Sequence, residues 1–418
     1  MTPIERRAYH FAMTDSSTIF FNPLEPGYVE DPYSHFAQMR EHDPVHLTLV
    51  NQWLLFAYDD VSRLLRDPSL SVSNENIEIH DEDRMSKFIE VAGENFERST
   101  SMLNVDPPDH TRLRRLVSKA FTPSSIEALR PRVQVLVDEM LDGFAARGAG
   151  DVVADLAFPL PFDVISEMLG MPESDKAQIA AWSGAVVKTL DPIITDEEIE
   201  AAVAGERAMN DHIDDVVAWK RANPADDLLT ALIAAEEDGD RLSSVELRDQ
   251  VTLLFIAGHE TTVNLIGTGI FELMRHPDQL ELLRADPSLD VNAVDELLRF
   301  VSPVQMSRRI TLQDIEFGGK TIPKGMFVLA GLASANRDPS KWGPTADDLD
   351  IRRTGTAQHL SFGSGAHYCL GSSLARLEAQ VAIGTFARRF PEARIVGEPE
   401  WNGRINLRGL EHLHVAVG

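Results

Sequence analysis

The only cysteine of the chain, Cys369, lies in a glycine-rich stretch whose spacing could hold a metal-binding thiolate. Gly363 and Gly365 precede it and Gly371 follows it, and glycine permits tight turns that bring backbone close to a flat ligand. Apolar residues recur at helical spacing from Leu374, so the loop is predicted to enter a helix N-terminus, where the thiolate form is favoured. A single thiolate has too few partners for a disulfide or a structural zinc site. It suits one axial bond to haem iron.

A second candidate centre lies in the middle of a long predicted helix. Ser243 and Glu246 form a predicted capping box, and helical spacing of apolar residues continues up to Pro277. This predicts a helix of roughly 32 residues that runs through a core. Glu260 lies in its centre, where a carboxylate is costly unless it is paired or neutral, and no cation lies three or four residues away. Such a cost indicates function.

The pair His259-Glu260 also fits the start of a zinc-protease motif, H-E-x-x-H. That motif needs a second histidine one helical turn after the first. Val263 occupies this position, so the second metal ligand is absent and the zinc-protease interpretation fails.

Composition limits the function classes. The 418 residues are 43% hydrophobic and 25% charged, which is an ordinary globular balance. A net charge of −27 argues against a nucleic-acid partner, since phosphate contacts need clustered Lys and Arg. No apolar run reaches the roughly 18 residues of a membrane span, and residues 1–15 lack a signal core. With one cysteine, we expect a soluble cytoplasmic protein without a membrane span.

The loop Phe362-Gly363-x-Gly365-x-His367-x-Cys369-x-Gly371 closely resembles the cysteine-ligand loop of cytochromes P450. Three further motifs of that family occur in the same order. They are Asp-Pro-Pro-x-His-x-x-x-Arg, which contains His110 and Arg114, the segment Ala-Gly-x-Glu-Thr at 257–261, and Glu-x-x-Arg at 296–299. The resemblance spans residues 30 to 418.

This resemblance implies a mainly α fold with small β regions, in which a triangular helical body surrounds a buried haem. It also implies a single domain over residues 26–418, after an N-terminal extension over residues 1–25. The haem b would be held by a cysteine thiolate, with O₂ as co-substrate. The residues implied to bind the cofactor are Cys369 as the iron ligand, His110, Arg114, Arg309 and His367 at the propionates, and Phe362, Gly363 and Gly371 in the loop.

The resemblance to the same family also implies catalytic roles for residues of the long helix. Gly258, after Ala257, would leave room for O₂, and Thr261 would supply a hydroxyl beside it. Glu260 would belong to the proton relay from solvent. A threonine that bonds back to a carbonyl one turn earlier is the alternative for Thr261. Glu296, Arg299 and Arg353 are implied to form a buried ion pair that serves folding and haem incorporation.

The predicted activity is hydroxylation or epoxidation of an apolar small molecule, with terpenoid, steroid, fatty acid and polyketide classes open. The predicted pocket residues are Val186, Leu254, Val304 and Leu407. Electrons would come to a monomeric protein from a separate ferredoxin or flavodoxin-like partner and its NAD(P)H reductase. Two alternatives are a peroxide-dependent haem-thiolate hydroxylase, which would have a basic residue in place of Glu260, and a non-catalytic haem sensor.

Overall fold

The computed structural model describes residues 19–77, 84–93, 99–172, 176–237 and 240–418, so the N-terminal stretch 1–15 lies outside the described residues. Helices predominate within these ranges and the strands are short. The prediction of a mainly α fold with small β regions is therefore confirmed.

The helices, in chain order, are α1 (Tyr33–His42), α2 (Tyr58–Arg66), α3 (Arg84–Ala92), α4 (Asp109–Ser118), α5 (Pro123–Glu127), α6 (Arg130–Arg147), α7 (Pro159–Leu169), α8 (Lys176–Lys188), α9 (Asp196–Ala222), α10 (Leu228–Ala234), α11 (Ser244–Arg275), α12 (Pro277–Ala285), α13 (Asp290–Phe300), α14 (Leu332–Ala335), α15 (Pro339–Trp342) and α16 (Ser372–Arg389). A π-helical turn covers Val153–Ala157, and 3-10 turns cover Asn74–Asn76, Pro287–Leu289, Thr356–Gln358 and Gly365–His367.

The strands are β1 (Val45–Leu47), β2 (Trp53–Leu55), β3 (Leu70–Ser71), β4 (Ala149–Asp151), β5 (Glu236–Glu237), β6 (Asp240–Arg241), β7 (Met306–Thr311), β8 (Ile315–Phe317), β9 (Lys320–Ile322), β10 (Phe327–Gly331), β11 (Arg394–Ile395), β12 (Glu400–Trp401), β13 (Leu410–His412) and β14 (His414–Ala416).

The chain forms two compact units, and the first comprises Met1–Glu78, Val304–Asp348 and Gln358–Cys369. It contains a five-stranded sheet in the order β1-β2-β10-β7-β3, in which β2 and β10 are parallel and the other neighbours are antiparallel. Apolar side chains of α2 and of these strands form its core. The prediction of one domain over 26–418 stays a prediction.

The second unit comprises Ile79–Pro303, Leu349–Ala357 and Leu370–Gly418, and the long helix α11 runs through it. The predicted capping box is present, since Glu246 N donates to Ser243 Oγ at 3.2 Å and Ser243 N donates to Glu246 Oε2 at 2.8 Å. The helix has 32 residues and is buried on most faces by its neighbours in this unit, which include α7, α9 and α16. The strands β4, β11 and β14 form a small sheet in the order β11-β14-β4.

The stretch 69–101 is largely polar and its sequence shows no sustained periodicity, yet it includes α3. The apolar side chains of Phe88, Val91 and Ala92 share one face of this helix and pack against Ile199 and Val203 of α9. Three apolar residues over less than two turns are too short a pattern to stand out in a polar stretch. Tertiary packing therefore decides this helix.

Candidate active site

The cysteine loop of the first unit is a tight turn that leaves Cys369 exposed. Cys369 N donates to Phe362 O at 2.9 Å, which closes the loop. Gly363 and Gly365 have φ angles of 68° and 73°, in the left-handed region that favours glycine. A Cβ atom at Gly365 would lie 2.6 Å from Leu65 O, so a side chain at this position would clash with backbone. The loop thus presents the cysteine at the surface of its unit.

Two further residues predicted to bind the cofactor lie in the same unit. Arg309, on β7, is only 5% exposed, and its guanidinium donates to Arg308 O at 2.7 Å and to Ser307 Oγ at 3.4 Å. These contacts hold the guanidinium plane in one orientation. His367 ends the 3-10 turn of the cysteine loop and is half-buried.

The second unit carries His110 and Arg114, one turn apart on α4. His110 is buried, and burial lowers the pKa of its imidazole. The charge of Arg114 lowers this pKa further, whereas Asp106 opposes the change. The imidazole of His110 is therefore favoured in its uncharged form. Gly371, in the same unit, is the N-cap residue of α16.

The acidic residue of α11 belongs to a polar cluster inside the second unit. Ser183 Oγ donates to Glu260 Oε1 at 2.6 Å, and Arg404 Nη1 donates to Glu260 Oε2 at 2.8 Å. His259 Nε2 lies 3.6 Å from Glu260 Oε1, while its Nδ1 donates to Phe255 O at 2.8 Å. The Glu260 side chain is 12% exposed. Each carboxylate oxygen thus has a donor of its own.

These partners decide the ionisation of Glu260. Burial alone would raise the pKa of this carboxyl group, but the nearby His259 ring, the charge of Arg404 and the Ser183 hydroxyl outweigh burial. They lower the pKa of Glu260 from its ordinary value of 4.5 to about 2. The side chain is therefore a carboxylate across the neutral range.

We expect this shift to appear in the pH dependence of stability. A carboxyl group with a lowered folded-state pKa stabilises the fold above its unfolded pKa, and the stabilisation is lost as pH falls from about 4.5 towards 2. Between about pH 6 and about pH 3.5, wild type should lose about 1.4 kcal/mol relative to Glu260→Gln, since one pKa unit corresponds to about 1.4 kcal/mol. Urea unfolding of both proteins measures this difference. A constant difference across the range would contradict the assignment.

Thr261 lies one residue beyond the acid and one turn beyond Ala257. Its Oγ1 donates to Ala257 O at 3.2 Å, which is the back-bonded geometry common for threonine in helices. Ala257 is exposed within its unit and Thr261 is half-buried, although both lie mid-helix. A Cβ atom at Gly258 would lie 3.1 Å from Ile165 Cγ1, so this glycine permits the close approach of α7 and α11. Its predicted role in making room for O₂ stays a prediction.

Glu296, on α13, accepts charged hydrogen bonds from two arginines in the second unit. Arg299 Nε donates to Glu296 Oε2 at 2.7 Å and Arg299 Nη2 donates to Oε1 at 2.8 Å. Arg353 Nε and Asp350 N also donate to Oε1, at 3.1 Å and 3.0 Å. The side chains of Glu296 and Arg299 are both 0% exposed. The two-pronged geometry and full burial distinguish this group from a surface ion pair.

The predicted pocket residues fall in different environments. In the second unit, Leu254 and Leu407 are buried and Val186 is half-buried. Leu407 O accepts a hydrogen bond from Asn264 Nδ2 of α11 at 3.3 Å, so the C-terminal segment lies along this helix. Val304, in the first unit, packs against the apolar core of that unit.

Sequence reasoning missed Arg404 and Ser183 as partners of Glu260. They lie 144 and 77 residues away along the chain, so no local spacing connects them with the acid. The one signal was the acid itself, because a buried carboxylate without a local cation requires a partner from elsewhere.

The residues present fit a haem with a thiolate ligand. Free cysteine is usually among the most buried residue types, yet Cys369 is exposed and could reach a bound ligand. Its sulfur is a soft donor that suits iron, and arginine side chains such as Arg309 suit carboxylates such as the haem propionates. In the second unit, exposed Ala257 and half-buried Thr261 lie one turn apart on the same face of α11, which suits contact with a flat ligand.

Comparisons with known proteins agree with this fit. The cytochrome P450 family model matches residues 197–287 and 289–394. Cytochrome P450 107B1 of Saccharopolyspora erythraea is 41% identical over 94% of this chain and 97% of that protein. Vitamin D(3) 25-hydroxylase of Pseudonocardia autotrophica is 40% identical over 97% of this chain and 99% of that protein. The solved structure of the bacillaene polyketide synthase cytochrome P450 PksS of Bacillus subtilis 168 is 35% identical, has a TM-score of 0.85, and is matched over 96% of this chain and 100% of that chain.

The fold and these matches define a haem-thiolate monooxygenase, which uses O₂ and acts on a small-molecule substrate with electrons from a redox partner. The chain belongs to the cytochrome P450 family. Among the helices of the described ranges, none has the length and apolar character that a membrane span requires.

Proposed function

We propose that the protein hydroxylates or epoxidises an apolar small molecule. We further propose that Glu260 and Thr261 transfer the protons that the reaction requires. The observation that carries this proposal is the pair of hydrogen bonds from Ser183 and Arg404 to Glu260, which lies on the same helix as Thr261. A haem sensor has no use for a buried, ionised acid held in this way. When bound, haem supplies the iron centre at which O₂ is reduced and one oxygen atom is transferred to substrate.

The residues that would hold the cofactor are those named by the family motifs. Cys369 provides the thiolate, and its loop is kept in shape by the left-handed glycine Gly363. The group that orients the haem consists of His110, Arg114, Arg309, His367, Phe362 and Gly371. Glu296, Arg299 and Arg353 stabilise the fold that receives the haem rather than take part in chemistry.

The pKa of Glu260 determines when this side chain can take a proton from solvent and pass it to Thr261. With a pKa of about 2, the carboxylate accepts hydrogen bonds and orients water, but it holds a proton only weakly. When Arg404 Nη1 leaves Oε2, burial raises the pKa, and the carboxyl group can then take a proton from solvent. The Thr261 hydroxyl, one residue on, lies at the accessible part of α11 next to Ala257 and can receive it.

Replacement of Thr261 by alanine should uncouple electron consumption from product formation. The hydroxyl that delivers the proton is lost, whereas iron ligation is untouched. The ratio of product formed to NAD(P)H consumed should fall at least about 10-fold, which is below the usual range for loss of a positioned acid–base group. Thr261→Ser keeps the hydroxyl and should keep most of the ratio. Thr262→Ala is the matched control, because it removes a neighbouring hydroxyl that contacts a helix carbonyl, Gly258 O, at 3.5 Å. Equal ratios in all four proteins would contradict this role.

The substrate class is proposed from the pocket residues and the relatives. Val186, Leu254, Val304 and Leu407 are all aliphatic, which suits an apolar surface. One relative is named for vitamin D(3) hydroxylation and another for polyketide synthesis, so extended alicyclic and polyketide compounds are the first to test. A shift of the haem absorption band on binding, followed by identification of an oxygenated product, tests the proposal. Binding without any oxygenated product would contradict it.

We also propose that electrons come from a separate ferredoxin or flavodoxin-like protein and its NAD(P)H reductase. The enzyme itself is proposed to be monomeric and cytoplasmic. Turnover should require both added proteins. Product formation with NAD(P)H alone would contradict the separate partner, and equally fast turnover with hydrogen peroxide alone would favour a peroxide-dependent enzyme.

A further inference from the structure

A cluster of two histidines and one aspartate lies on the small sheet of the second unit, apart from the residues discussed above. One ligand atom from each of Asp151, His412 and His414 lies within 4.8 Å of the others. Asp151 is on β4, and His414 on β14 is its directly opposite partner in the antiparallel ladder. The two histidines flank Leu413, whose side chain is fully buried, so both imidazoles leave the same side of the extended backbone that joins β13 to β14.

The imidazoles are already arranged side by side. Their ring centroids are 5.8 Å apart and their planes differ by 7°. The His412 side chain is 43% exposed and His414 is exposed, so both can be reached from solvent.

Asp151 determines which nitrogen of His412 is available. Its Oδ1 accepts from Val153 N at 2.9 Å and from Leu413 N at 3.0 Å, and its Oδ2 accepts from His412 Nδ1 at 2.6 Å. Both carboxylate oxygens are therefore in use, and Nδ1 of His412 carries a proton. This leaves Nε2 as the ligand atom, in the carboxylate–histidine–metal arrangement that orients many zinc ligands.

The local charge favours a cation. Glu400 is the directly opposite partner of His412 in the β12–β13 ladder. Asp151, Glu400 and Glu411 also bring negative charge close to His412. The same negative field stabilises a bound divalent ion.

We propose that His412 and His414 bind a divalent transition metal of the zinc class, with Asp151 as the residue that positions His412. Imidazole ligands select Zn²⁺, Co²⁺, Ni²⁺ or Cu²⁺ over Mg²⁺ and Ca²⁺, which prefer oxygen. A tetrahedral ion at about 2.0–2.1 Å from each nitrogen requires ligand atoms about 3.3 Å apart, so the exposed His414 side chain has to adjust to meet the ion. Water and Glu400 are available for the remaining positions.

Calorimetric titration of the haem-loaded protein with ZnCl₂, in a buffer that does not bind metal, tests the proposal. Wild type should bind one equivalent of Zn²⁺, and MgCl₂ should give no signal. His414→Gln and His412→Gln should each weaken binding at least about 10-fold, and Asp151→Asn should weaken it about 10–100-fold, as loss of an orienting carboxylate does. The matched control is His42→Gln, because His42 is another exposed histidine beside a carboxylate, that of Glu41.

Asp151 also accepts two backbone hydrogen bonds, so its replacement could disturb the fold. The exposed His414 therefore gives the clearest test of metal binding. Zn²⁺ should raise the thermal unfolding midpoint of wild type and of His42→Gln, and should raise that of His414→Gln by clearly less. Absence of binding to wild type, or equal affinity in wild type and in both histidine variants, would overturn the proposal.

Discussion

Replacing Glu260 with glutamine should lower kcat for substrate oxygenation about 100-fold or more, within the range of about 10²–10⁴ that general acid–base groups contribute. The amide has nearly the shape of the carboxyl group and can still accept the hydrogen bond from Ser183 Oγ. It cannot take up or release a proton, and it leaves Arg404 without its counter-charge. Product formation with saturating redox partner measures the change, and the absorption spectrum of the haem should stay that of wild type.

The matched control is Glu272→Gln, which removes another buried carboxylate of α11 that lies close to Arg275 and His276. Its kcat should stay within about threefold of wild type, because it has no place in the proposed proton route. A second variant, Arg404→Gln, should raise the pKa of Glu260 and add an ionisation to the pH profile of kcat. That ionisation should vanish in the Glu260→Gln/Arg404→Gln double variant. Equal kcat in the two glutamine variants of α11 would contradict the assignment.

Arg299→Leu should lower the free energy of unfolding by about 3–5 kcal/mol, the usual cost of breaking a fully buried ion pair from one side. Both partners are 0% exposed, and Arg299 forms two charged hydrogen bonds with Glu296. Without it, the buried carboxylate keeps Arg353 and Asp350 N but loses half of its donors. Urea unfolding measures the loss, and haem content after purification reports its effect on cofactor incorporation.

Glu127 and Arg130 provide the comparison, because they have the same three-residue spacing at the surface, with side chains 61% and 39% exposed. Arg130→Leu should cost about 1 kcal/mol or less, as exposed pairs do. Similar losses in the two variants would show that burial adds nothing to the pair on α13.

Local patterns predicted the central helix and the loop turns well. The capping box at Ser243 and the proline at 277 mark the limits of α11 as Ser244–Arg275, because both act within a few residues of the helix ends. The positive φ angles of Gly363 and Gly365 follow equally from local sterics. The short helix α3 was missed, since its stability comes from contact with α9 rather than from its own sequence.

Partners distant in sequence were beyond prediction from one chain. Glu260 indicated that a cation was required, but only the fold brings Arg404 to it from 144 residues away. The stacked pair His412 and His414 was equally invisible, because its orientation depends on Asp151 from the neighbouring strand region. Hydrogen bonds between distant segments depend on tertiary packing, which local spacing does not record.

The most direct test of the account is the absorption spectrum of the reduced, carbon-monoxide-treated protein. If the sulfur of Cys369 binds the iron as a thiolate, the main band should show the strong red shift that an electron-donating sulfur ligand causes. Cys369→Ser should lose the shift, while circular dichroism shows an unchanged helical fold. A natively folded wild-type protein that binds haem and carbon monoxide without the red shift would contradict thiolate ligation, and with it the proposed chemistry.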